Sequence, residues 1–468
     1  MDKAKKLTIC LTGATGFIGS NLLTHFEKNN DFNIVALSRK LPPRLSGAKK
    51  GNVEWRRCNA FSHLDVEKAT EGCDILIYLI HSMLPSTSFT QGHFKDFDLY
   101  LADNFMRAAK KHKIKKIIYL TGIIPHNEEL SDHLSSRLEV EKALGEMNNL
   151  IALRASIVIG KNGSSFKIIE RLIKRLPILV CPAWTRTKTQ PIHLNDVIAS
   201  IDYVIKDNIA PGAYDIGGPD ILTYKEMMML CAKVLDKKRY FFNVPLLTPT
   251  LSKLWVSNIT MVSKDLIYPL VESLKHSMVV HPKKELTIPG HEYKHYIPAL
   301  KESFTGEEDG WFREVIDYTS QISMKWLKNV TYIQRIHIPL HHSGKFLAEE
   351  YFKWLPRFMR PFINVKVFDD KVQFCLFGNL RILKLKLAKN RSTEDRWVYY
   401  ITGGLLAKKR TLSGRLEFRN VPARNCHLII LIDYRPSMPW FIYKFTQAKI
   451  HHFAMMRFQK YLEKKYRS

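Results

Sequence analysis

The feature that most constrains this chain is a glycine-rich turn between an apolar strand and a helix, close to the N-terminus. Residues 7–11 read LTICL and predict a buried strand, and the turn TGATGFIG follows at residues 12–19. A helix is predicted over 20–28. A strand, a glycine turn and a helix in this order present backbone N–H groups at a helix N-terminus, which is a favourable place for phosphate. We therefore expect a dinucleotide site of the Rossmann type here.

The glycines of this turn have separate expected roles. Gly13 permits the tight turn, Gly16 lets the backbone approach a pyrophosphate, and Gly19 allows the helix to pack closely on the strand. The alternative is a purely structural turn. The predicted cofactor contacts in the turn are Gly13, Thr15, Gly16, Phe17, Ile18 and Gly19.

The end of the second predicted strand, 34–37, bears on which dinucleotide is bound. An NAD site usually has an acidic residue there for the ribose hydroxyls, whereas this chain has Ser38, Arg39 and Lys40. These side chains are suited to charge-assisted hydrogen bonds with a 2′-phosphate. We therefore expect NADPH rather than NADH, with stacking of Arg39 on adenine as the alternative. Asn59, after the third predicted strand (53–58), is a further expected cofactor contact.

The alternation of elements sets the fold class. Further strands are predicted at 74–80, 116–120 and 150–154, with helical spacing between them, which indicates an α/β Rossmann fold with a parallel sheet. This domain is assigned to 1–325, with a substrate region at about 200–300. From 330 to 468 the pattern changes to an α+β domain with an antiparallel sheet. Its predicted elements are a strand at 331–338, one or two helices over 344–360, strands at 364–368, 371–377, 380–388, 397–405, 413–420 and 426–433, and a helix at 439–465.

Charge and cysteine content bear on partners and compartment. The formal net charge is +28, and residues 331–468 contribute 27 basic and 9 acidic residues, or +18 of it. This bias indicates affinity for anions such as lipid headgroups, nucleic acid or an acidic protein, although solubility alone is an alternative. Scattered cysteines, no signal peptide and no long apolar run predict a cytoplasmic protein, with a peripheral position at the inner membrane surface as a further option. No metal site is predicted.

Several segments resemble the extended and atypical short-chain dehydrogenase/reductases. These are TGATGFIG at 12–19, PIHLNDV at 191–197, and YDIGGP at 214–219 before LTYKE at 222–226. YLIHSM at 78–83 and LSDHLSSR at 130–137 resemble bacterial NAD(P)-binding proteins of the NmrA-like and complex-I accessory-subunit branch, some of which carry an added C-terminal domain. The resemblance covers about 1–280. Residues beyond 330 resemble a START/polyketide-cyclase helix-grip domain in architecture only.

The chain departs from the catalytic pattern that this resemblance implies. Active members of the family use a Tyr-x-x-x-Lys pair, whereas this chain has His133 and Arg137 at that spacing, and Thr121 where a serine is usual. A histidine serves acid–base chemistry near neutral pH, but an arginine does not tune a partner by losing its proton. His81 and Ser82 follow the fourth strand and are expected near the nicotinamide, with strand capping as the alternative. His133, Arg137, His81 and Thr121 are thus the candidate catalytic residues.

Three functions remain open from the sequence. The first is an NADPH-dependent oxidoreductase acting on a hydrophobic carbonyl or quinone-like substrate, and the second is a non-catalytic NADPH sensor or structural protein. Nucleic-acid binding is the third and lacks a recognition motif. The C-terminal domain is expected to hold a hydrophobic ligand, with core packing as the alternative, beside Trp397, Tyr399, Phe418, Trp440 and Phe441. The terminal helix is basic and also carries apolar residues. We expect it to pack in the domain's own groove, with binding to an anionic membrane or a protein partner as the alternative.

Overall fold

The computed structural model describes residues 6–41, 49–81, 89–125, 128–244, 271–305, 329–408 and 414–466. The chain divides into two compact units. The first comprises 1–84 and 104–320, and the second comprises 85–103 and 321–468. Residues 85–103, expected from the sequence in the N-terminal domain, therefore belong with the second unit.

The described residues form the following elements. The strands are β1 (Thr8–Leu11), β2 (Asn33–Ser38), β3 (Lys49–Lys50), β4 (Val53–Arg57), β5 (Ile75–Tyr78), β6 (Phe89–Gln91), β7 (Lys116–Gly122), β8 (Leu150–Ala155), β9 (Val158–Ile159), β10 (Ile178–Cys181), β11 (Lys188–Thr189), β12 (Ile192–His193), β13 (Gly212–Ile216), β14 (Leu222–Thr223), β15 (Tyr240–Asn243), β16 (Val330–Ile336), β17 (Ile363–Phe368), β18 (Lys371–Leu376), β19 (Leu380–Leu387), β20 (Arg396–Gly403), β21 (Arg415–Val421) and β22 (Cys426–Tyr434). The helices are α1 (Phe17–Asn29), α2 (His63–Thr70), α3 (Phe94–Lys111), α4 (Asp132–Leu144), α5 (Ser164–Arg175), α6 (Leu194–Lys206), α7 (Tyr224–Val234), α8 (Tyr296–Thr305), α9 (Gly344–Phe358), α10 (Trp440–Phe445) and α11 (Gln447–Tyr466). Short 3-10 turns lie at Gly145–Met147, Ala183–Arg186, Lys389–Arg391 and Pro422–Arg424.

The first unit is built on one twisted sheet with the strand order β13-β8-β7-β5-β1-β2-β4-β3. Its strands are parallel, except that β3 runs antiparallel to β4. The parallel Rossmann sheet expected from the sequence is confirmed. The chain leaves β1 toward β2 on one side, whereas β5 lies on the other. The carboxyl ends of β1 and β5 therefore border the crevice where open α/β sheets bind ligands.

The second unit contains an antiparallel sheet in the order β17-β18-β19-β20-β21-β22-β16, with β6 added in parallel beside β16. Apolar residues of α9 and α11 pack on this sheet; Leu347, Phe352 and Phe458 are buried in one cluster with Phe374 and Phe418. The expected antiparallel α+β domain is confirmed. The likeness to a helix-grip domain stays a prediction.

Two expectations for the second unit are wrong. The terminal helix is not continuous over 439–465, because the backbone breaks at Thr446 (φ −119°, ψ −86°) between α10 and α11. Phe441 does not line the interior, since 66% of its surface is exposed. Phe418 and Tyr399 are buried against Phe352, at ring-centroid distances of 6.1 and 5.3 Å, and so form part of the core.

A buried ionic cluster links α3 to the sheet within the second unit. The guanidiniums of Arg396 and Arg419 donate to the Glu417 carboxylate at 2.8 and 2.7 Å, and Arg419 also donates to Asp103 at 2.6 Å. The Arg419 guanidinium lies 4.5 Å from the ring centre of Tyr100. Burial raises the pKa of Glu417, but the adjacent arginines lower it by more, so the carboxyl is ionised. Removing one partner of such a cluster leaves buried charge uncompensated.

Other features of the chain concern compartment and metal binding. All seven cysteines are buried and free. In the part of the chain that the structure describes, no helix is long and apolar enough to cross a membrane. The same described residues place no group of three histidine, cysteine or carboxylate side chains where a metal ion could be held.

Candidate dinucleotide site and adjoining pocket

The glycine turn joins the carboxyl end of β1 to the start of α1. Gly13 adopts a left-handed conformation (φ +65°), and the Gly16 N–H donates to the Gly13 carbonyl at 2.8 Å. Thr12 fixes the turn to the end of β5, because its hydroxyl accepts a hydrogen bond from the Leu79 N–H at 2.8 Å. No side chain of the described residues caps the helix, and its first internal hydrogen bond runs from Ser20 N–H to Gly16 O. The N–H groups of residues 17–19 therefore have no acceptor within the helix and suit an anion.

The structure gives a steric reason for the glycine at position 19. A Cβ atom added there would lie 2.2 Å from the Gly13 carbonyl oxygen and 2.9 Å from the Ala14 Cα. Both are backbone atoms, so the turn itself would have to move. A Cβ at Gly13 would lie 3.1 Å from the Leu79 carbonyl oxygen. The turn thus forms a cradle that side chains would fill, which fits the pyrophosphate of a dinucleotide.

The residues expected to select the nucleotide differ in whether their side chains are exposed or already hydrogen-bonded to local backbone. Ser38 is buried and its hydroxyl donates to the Lys40 carbonyl at 3.0 Å, which closes a local turn. The Asn59 side chain accepts a hydrogen bond from the Phe61 N–H at 3.2 Å. Arg39 is exposed and forms no hydrogen bond or ion pair with another described residue. Arg39 and Lys40 are therefore the charged residues at the end of β2, and Arg39 is the more exposed of the two.

Two histidines meet at the carboxyl edge of the sheet. His81 follows β5, His133 lies in the first turn of α4, and their rings stack with centroids 5.5 Å apart and planes 17° apart. Burial, with the nearby charge of Arg137, lowers the pKa of His133 to about 3. Burial lowers the pKa of His81 as well, aided by Arg137 and His133. Both rings are therefore neutral at physiological pH. Ser82 lies outside the described residues.

The other candidate catalytic residues lie on β7 and α4. Arg137 is one turn beyond His133 on α4, and its guanidinium donates to the Tyr119 hydroxyl at 3.2 Å. Thr121, near the end of β7, is buried, and its hydroxyl has no hydrogen-bond partner among the described residues. The structure thus brings His81, His133 and Arg137 together. The catalytic role of each of these residues stays a prediction.

Two serines that the sequence analysis did not single out orient His133. The Ser273 hydroxyl lies 3.1 Å from His133 Nδ1 and 2.9 Å from the Ser131 hydroxyl. Ser131 is the N-cap of α4 and accepts from the Leu134 N–H at 3.4 Å. The position of Ser131 was predictable from the sequence, since serine before a helix is a common N-cap. Ser273 is 140 residues from His133, and no local pattern connects them.

A pocket of about 160 Å³ opens beside His133. It lies at the carboxyl ends of β7 and β8, next to Gly122 and Ala155. Its polar lining comes from His133, Ser156, Ser273, Trp184 and Tyr224, and its apolar lining comes mainly from Leu134, Ile157, Ile168, Ile169, Leu172, Met228, Val271, Leu274 and Met278. Burial raises the pKa of Tyr224, so its hydroxyl stays protonated. The pocket suits a small, largely apolar molecule with one hydrogen-bonding group.

Comparison with known proteins agrees with this geometry. A sequence-family model described as NAD(P)H-binding matches residues 13–146, which span the glycine turn, His81 and His133. Residues 13–146 are thus similar to an NAD(P)H-binding family, and the sheet of the first unit has a Rossmann-type fold.

Individual proteins resemble parts of the chain. Auxiliary protein GraX of Staphylococcus aureus is 30% identical over 182 residues, which are 38% of this chain and 55% of GraX. Subunit 9 of the mitochondrial NADH dehydrogenase [ubiquinone] 1 alpha subcomplex of Arabidopsis thaliana is 24% identical over 240 residues, 50% of this chain and 59% of that protein. The chain therefore spans little more than half of the length of these relatives. The structure of an NADPH-dependent quinone oxidoreductase from Escherichia coli, complexed with NADPH, matches with a TM-score of 0.50 at 17% identity. That match covers 64% of this chain and 100% of the other, and it shows a shared fold.

Proposed function

We propose that the first unit binds NADPH and reduces a small apolar carbonyl or quinone-like compound in the pocket beside His133. The observation that carries this proposal is the position of the pocket. The glycine turn lies at the carboxyl end of β1, His81 at that of β5, and the pocket at those of β7 and β8. Because the strand order is β8-β7-β5-β1, these ends are neighbours along one edge of the sheet. A dinucleotide with its pyrophosphate at the turn extends along this edge in Rossmann folds. Its reactive ring then lies near His81 and the mouth of the pocket.

The preference for NADPH is supported by charge at the end of β2. No carboxylate stands at 38–40 to bind ribose hydroxyls, and Arg39 is exposed without an ion pair to another described residue. An arginine forms strong bidentate hydrogen bonds with phosphate. Ser38 and Asn59 contribute less in this proposal, because their side chains already bind local backbone.

His133 acts as a hydrogen-bond donor rather than as an imidazolium acid. Its pKa of about 3 leaves the ring neutral above that pH. If Ser131 donates to Ser273, and Ser273 donates to His133 Nδ1, the proton of the neutral ring lies on Nε2. That N–H then polarises a carbonyl oxygen in the pocket. When bound, NADPH supplies the hydride. Hydride transfer to a quinone leaves a phenolate-type anion that takes its proton from water, so quinone reduction needs no residue with a pKa near 7. Reduction of an ordinary carbonyl leaves an alkoxide, which would take the Nε2 proton of His133, and the ring would regain a proton from water.

The pocket limits the substrate class. A largely apolar cavity of about 160 Å³ is comparable with cavities that admit one aromatic ring. The polar groups are few and come from His133, Ser156, Ser273, Trp184 and Tyr224, which favours one carbonyl oxygen over a polyhydroxylated sugar. The quinone-reducing activity in the name of the E. coli neighbour is consistent with this class, although that likeness extends to the fold alone.

A non-catalytic NADPH-binding protein is the second candidate. The observation that favours it is the replacement of a Tyr-x-x-x-Lys pair by a neutral His133 and a permanently charged Arg137, which together cannot relay a proton near pH 7. The names of the two sequence relatives, an auxiliary protein and a subunit of a larger enzyme, point the same way. In this case the chain binds NADPH and transmits its presence to a partner.

Turnover separates the two candidates. NADPH oxidation is followed in the presence of small quinones and enones, with NADPH binding measured in the same preparations. We expect oxidation with at least one quinone, and a loss of about 10-fold or more in the His133→Phe variant, since a hydrogen bond to a developing charge contributes about 1.5–3 kcal/mol. His133→Phe keeps a flat ring against His81. The exposed His93→Phe provides a matched control. Binding without oxidation would support the second candidate, and full activity in His133→Phe would remove His133 from the chemistry.

A further inference from the structure

The last two helices of the second unit expose apolar side chains on a surface that none of the other described residues covers. Phe441, Phe445, Ile450 and Phe453 are between 51% and 66% exposed. The opposite side of the same helices packs into the domain core through Tyr443, Ala448, Met455, Phe458 and Leu462. The fold therefore uses one apolar side of α10 and α11 and leaves a second one open. This departs from the expectation that the apolar stripe packs as a whole in the domain's own groove.

Basic residues lie among these exposed apolar side chains. On α11, Ile450, Phe453, Arg457, Lys460 and Lys464 follow each other at intervals of three or four residues, so they share one side of the helix. Residues 440–466 contain six basic residues and a single acidic one, Glu463. Of the basic residues, Lys465 is paired with Glu350, whereas the other five form no ion pair with another described residue. We call this surface, Phe441, Lys444, Phe445, Lys449, Ile450, Phe453, Arg457, Lys460 and Lys464, the aromatic–basic face.

Charges and rings on this face are in direct contact. Lys449 Nζ lies 5.7 Å and Lys444 Nζ 5.9 Å from the ring centre of Phe445. The Arg457 guanidinium lies 5.2 Å from the ring centre of Phe453. Each cation is therefore held beside an exposed ring. At an interface between apolar chains and anionic headgroups, the ring can leave water while the adjacent cation stays with the headgroups.

We propose that the aromatic–basic face binds the surface of an anionic lipid bilayer and holds the protein there peripherally. Charge complementarity is the argument for this occupant, because five unpaired cations attract anionic lipid. A second copy of the chain is disfavoured on the same ground, since two such faces would bring ten positive charges together. Nucleic acid would pair with the cations, but phosphate contacts alone would leave the aliphatic Ile450 and the phenyl rings in water. The proposal is independent of the reductase function.

Vesicle flotation of the full chain tests this proposal. The probes are vesicles of phosphatidylcholine mixed with phosphatidylglycerol, and vesicles of phosphatidylcholine alone. We expect flotation with the anionic vesicles only, weakening as salt rises, since the screening length falls to about 8 Å at 0.15 M. In the Lys444→Gln/Lys449→Gln/Arg457→Gln variant the partition coefficient should fall on the order of 100-fold, or about fivefold for each charge. The variant Phe441→Ser/Phe445→Ser/Phe453→Ser should abolish flotation, because its exposed rings no longer leave water.

Matched variants on the first unit control for charge and exposure. Lys237→Gln/Lys238→Gln/Lys283→Gln removes three exposed lysines elsewhere, and Tyr240→Ser/Phe242→Ser removes exposed rings elsewhere. Neither should change flotation. Circular dichroism and NADPH binding verify that every variant folds. The proposal is overturned if the wild-type chain stays unbound, or if the face variants and the controls lose binding equally. A dimer in light scattering that only the phenylalanine variant disrupts, without flotation, would assign the face to a second copy instead.

Discussion

The substitution Gly19→Ala tests the cofactor cradle most sharply. The added Cβ would lie 2.2 Å from the Gly13 oxygen, 2.8 Å from the Gly13 carbonyl carbon and 2.9 Å from the Ala14 Cα. Real Cβ contacts rarely fall below 3.0 Å, so the turn and α1 must separate by about 0.8 Å. No side-chain rotation relieves this clash, because all three atoms belong to the backbone. Overpacking of this kind costs about 1–3 kcal/mol.

Two effects should follow from that displacement. The melting temperature of the first unit should fall by about 2–12 °C, at roughly 2–4 °C for each kcal/mol in a domain of this size. The dissociation constant for NADPH should rise about 10-fold or more, because N–H groups displaced from the phosphate lose charge-assisted hydrogen bonds of about 1.5–3 kcal/mol each. Titration of NADPH fluorescence and calorimetry measure the two quantities.

A matched glycine provides the control. Gly145 has ordinary right-handed backbone angles, and a Cβ there would meet only the Leu150 Cδ2 at 3.5 Å. Gly145→Ala should therefore leave NADPH affinity unchanged and stability equal or slightly higher. If Gly19→Ala does not fold, Gly16→Ala is a milder probe, with its Cβ 3.1 Å from the Gly13 oxygen. Normal NADPH affinity in a folded Gly19→Ala protein would refute the steric reasoning.

Three further outcomes are expected. Arg39→Ala should raise the dissociation constant for NADPH about 10- to 100-fold and leave that for NADH unchanged, as calorimetric titration would show. The pKa of His133 falls from its usual 6.5 to about 3 on folding, so below pH 6.5 the unfolded chain binds a proton that the folded chain does not. The free energy of unfolding should therefore fall as the pH falls from 6.5 toward 3. Urea unfolding should show a smaller fall in this free energy between pH 7 and pH 5 in His133→Phe than in the wild type. Glu417→Gln should destabilise the second unit by about 3–5 kcal/mol, since it leaves buried arginines uncompensated, while the exposed Glu394→Gln should change stability little; equal melting of the two variants would contradict this.

Local sequence patterns were sufficient where one physical demand dominated. A strand buried on both faces must be apolar throughout, so β5 was predictable from residues 74–80 to within a few residues. The glycine turn was predictable because strand, turn and helix are adjacent in the chain. Most strands of the second unit were also foreseen, since their strand-forming residues are separated by turn residues.

Other features depend on contacts between distant residues. β6 is only three residues long and pairs in parallel with β16, some 240 positions later, so no local periodicity marks it. Ser273 lies beside His133 only because the chain between them folds back, and no local sequence pattern connects the two residues. The pattern of α10 and α11 shows apolar residues around most of the helix, but it does not reveal which side the sheet covers. The break at Thr446 was not predictable, because no proline or glycine lies there.

The most direct test of the central claim is a crystal structure of the full chain with NADPH. We expect the pyrophosphate on the N–H groups of residues 17–19, the 2′-phosphate within hydrogen-bonding distance of Arg39, and the nicotinamide C4 facing the pocket beside His133. A pyrophosphate bound away from Gly13 and Gly16, or a nicotinamide ring turned away from the pocket, would contradict the account.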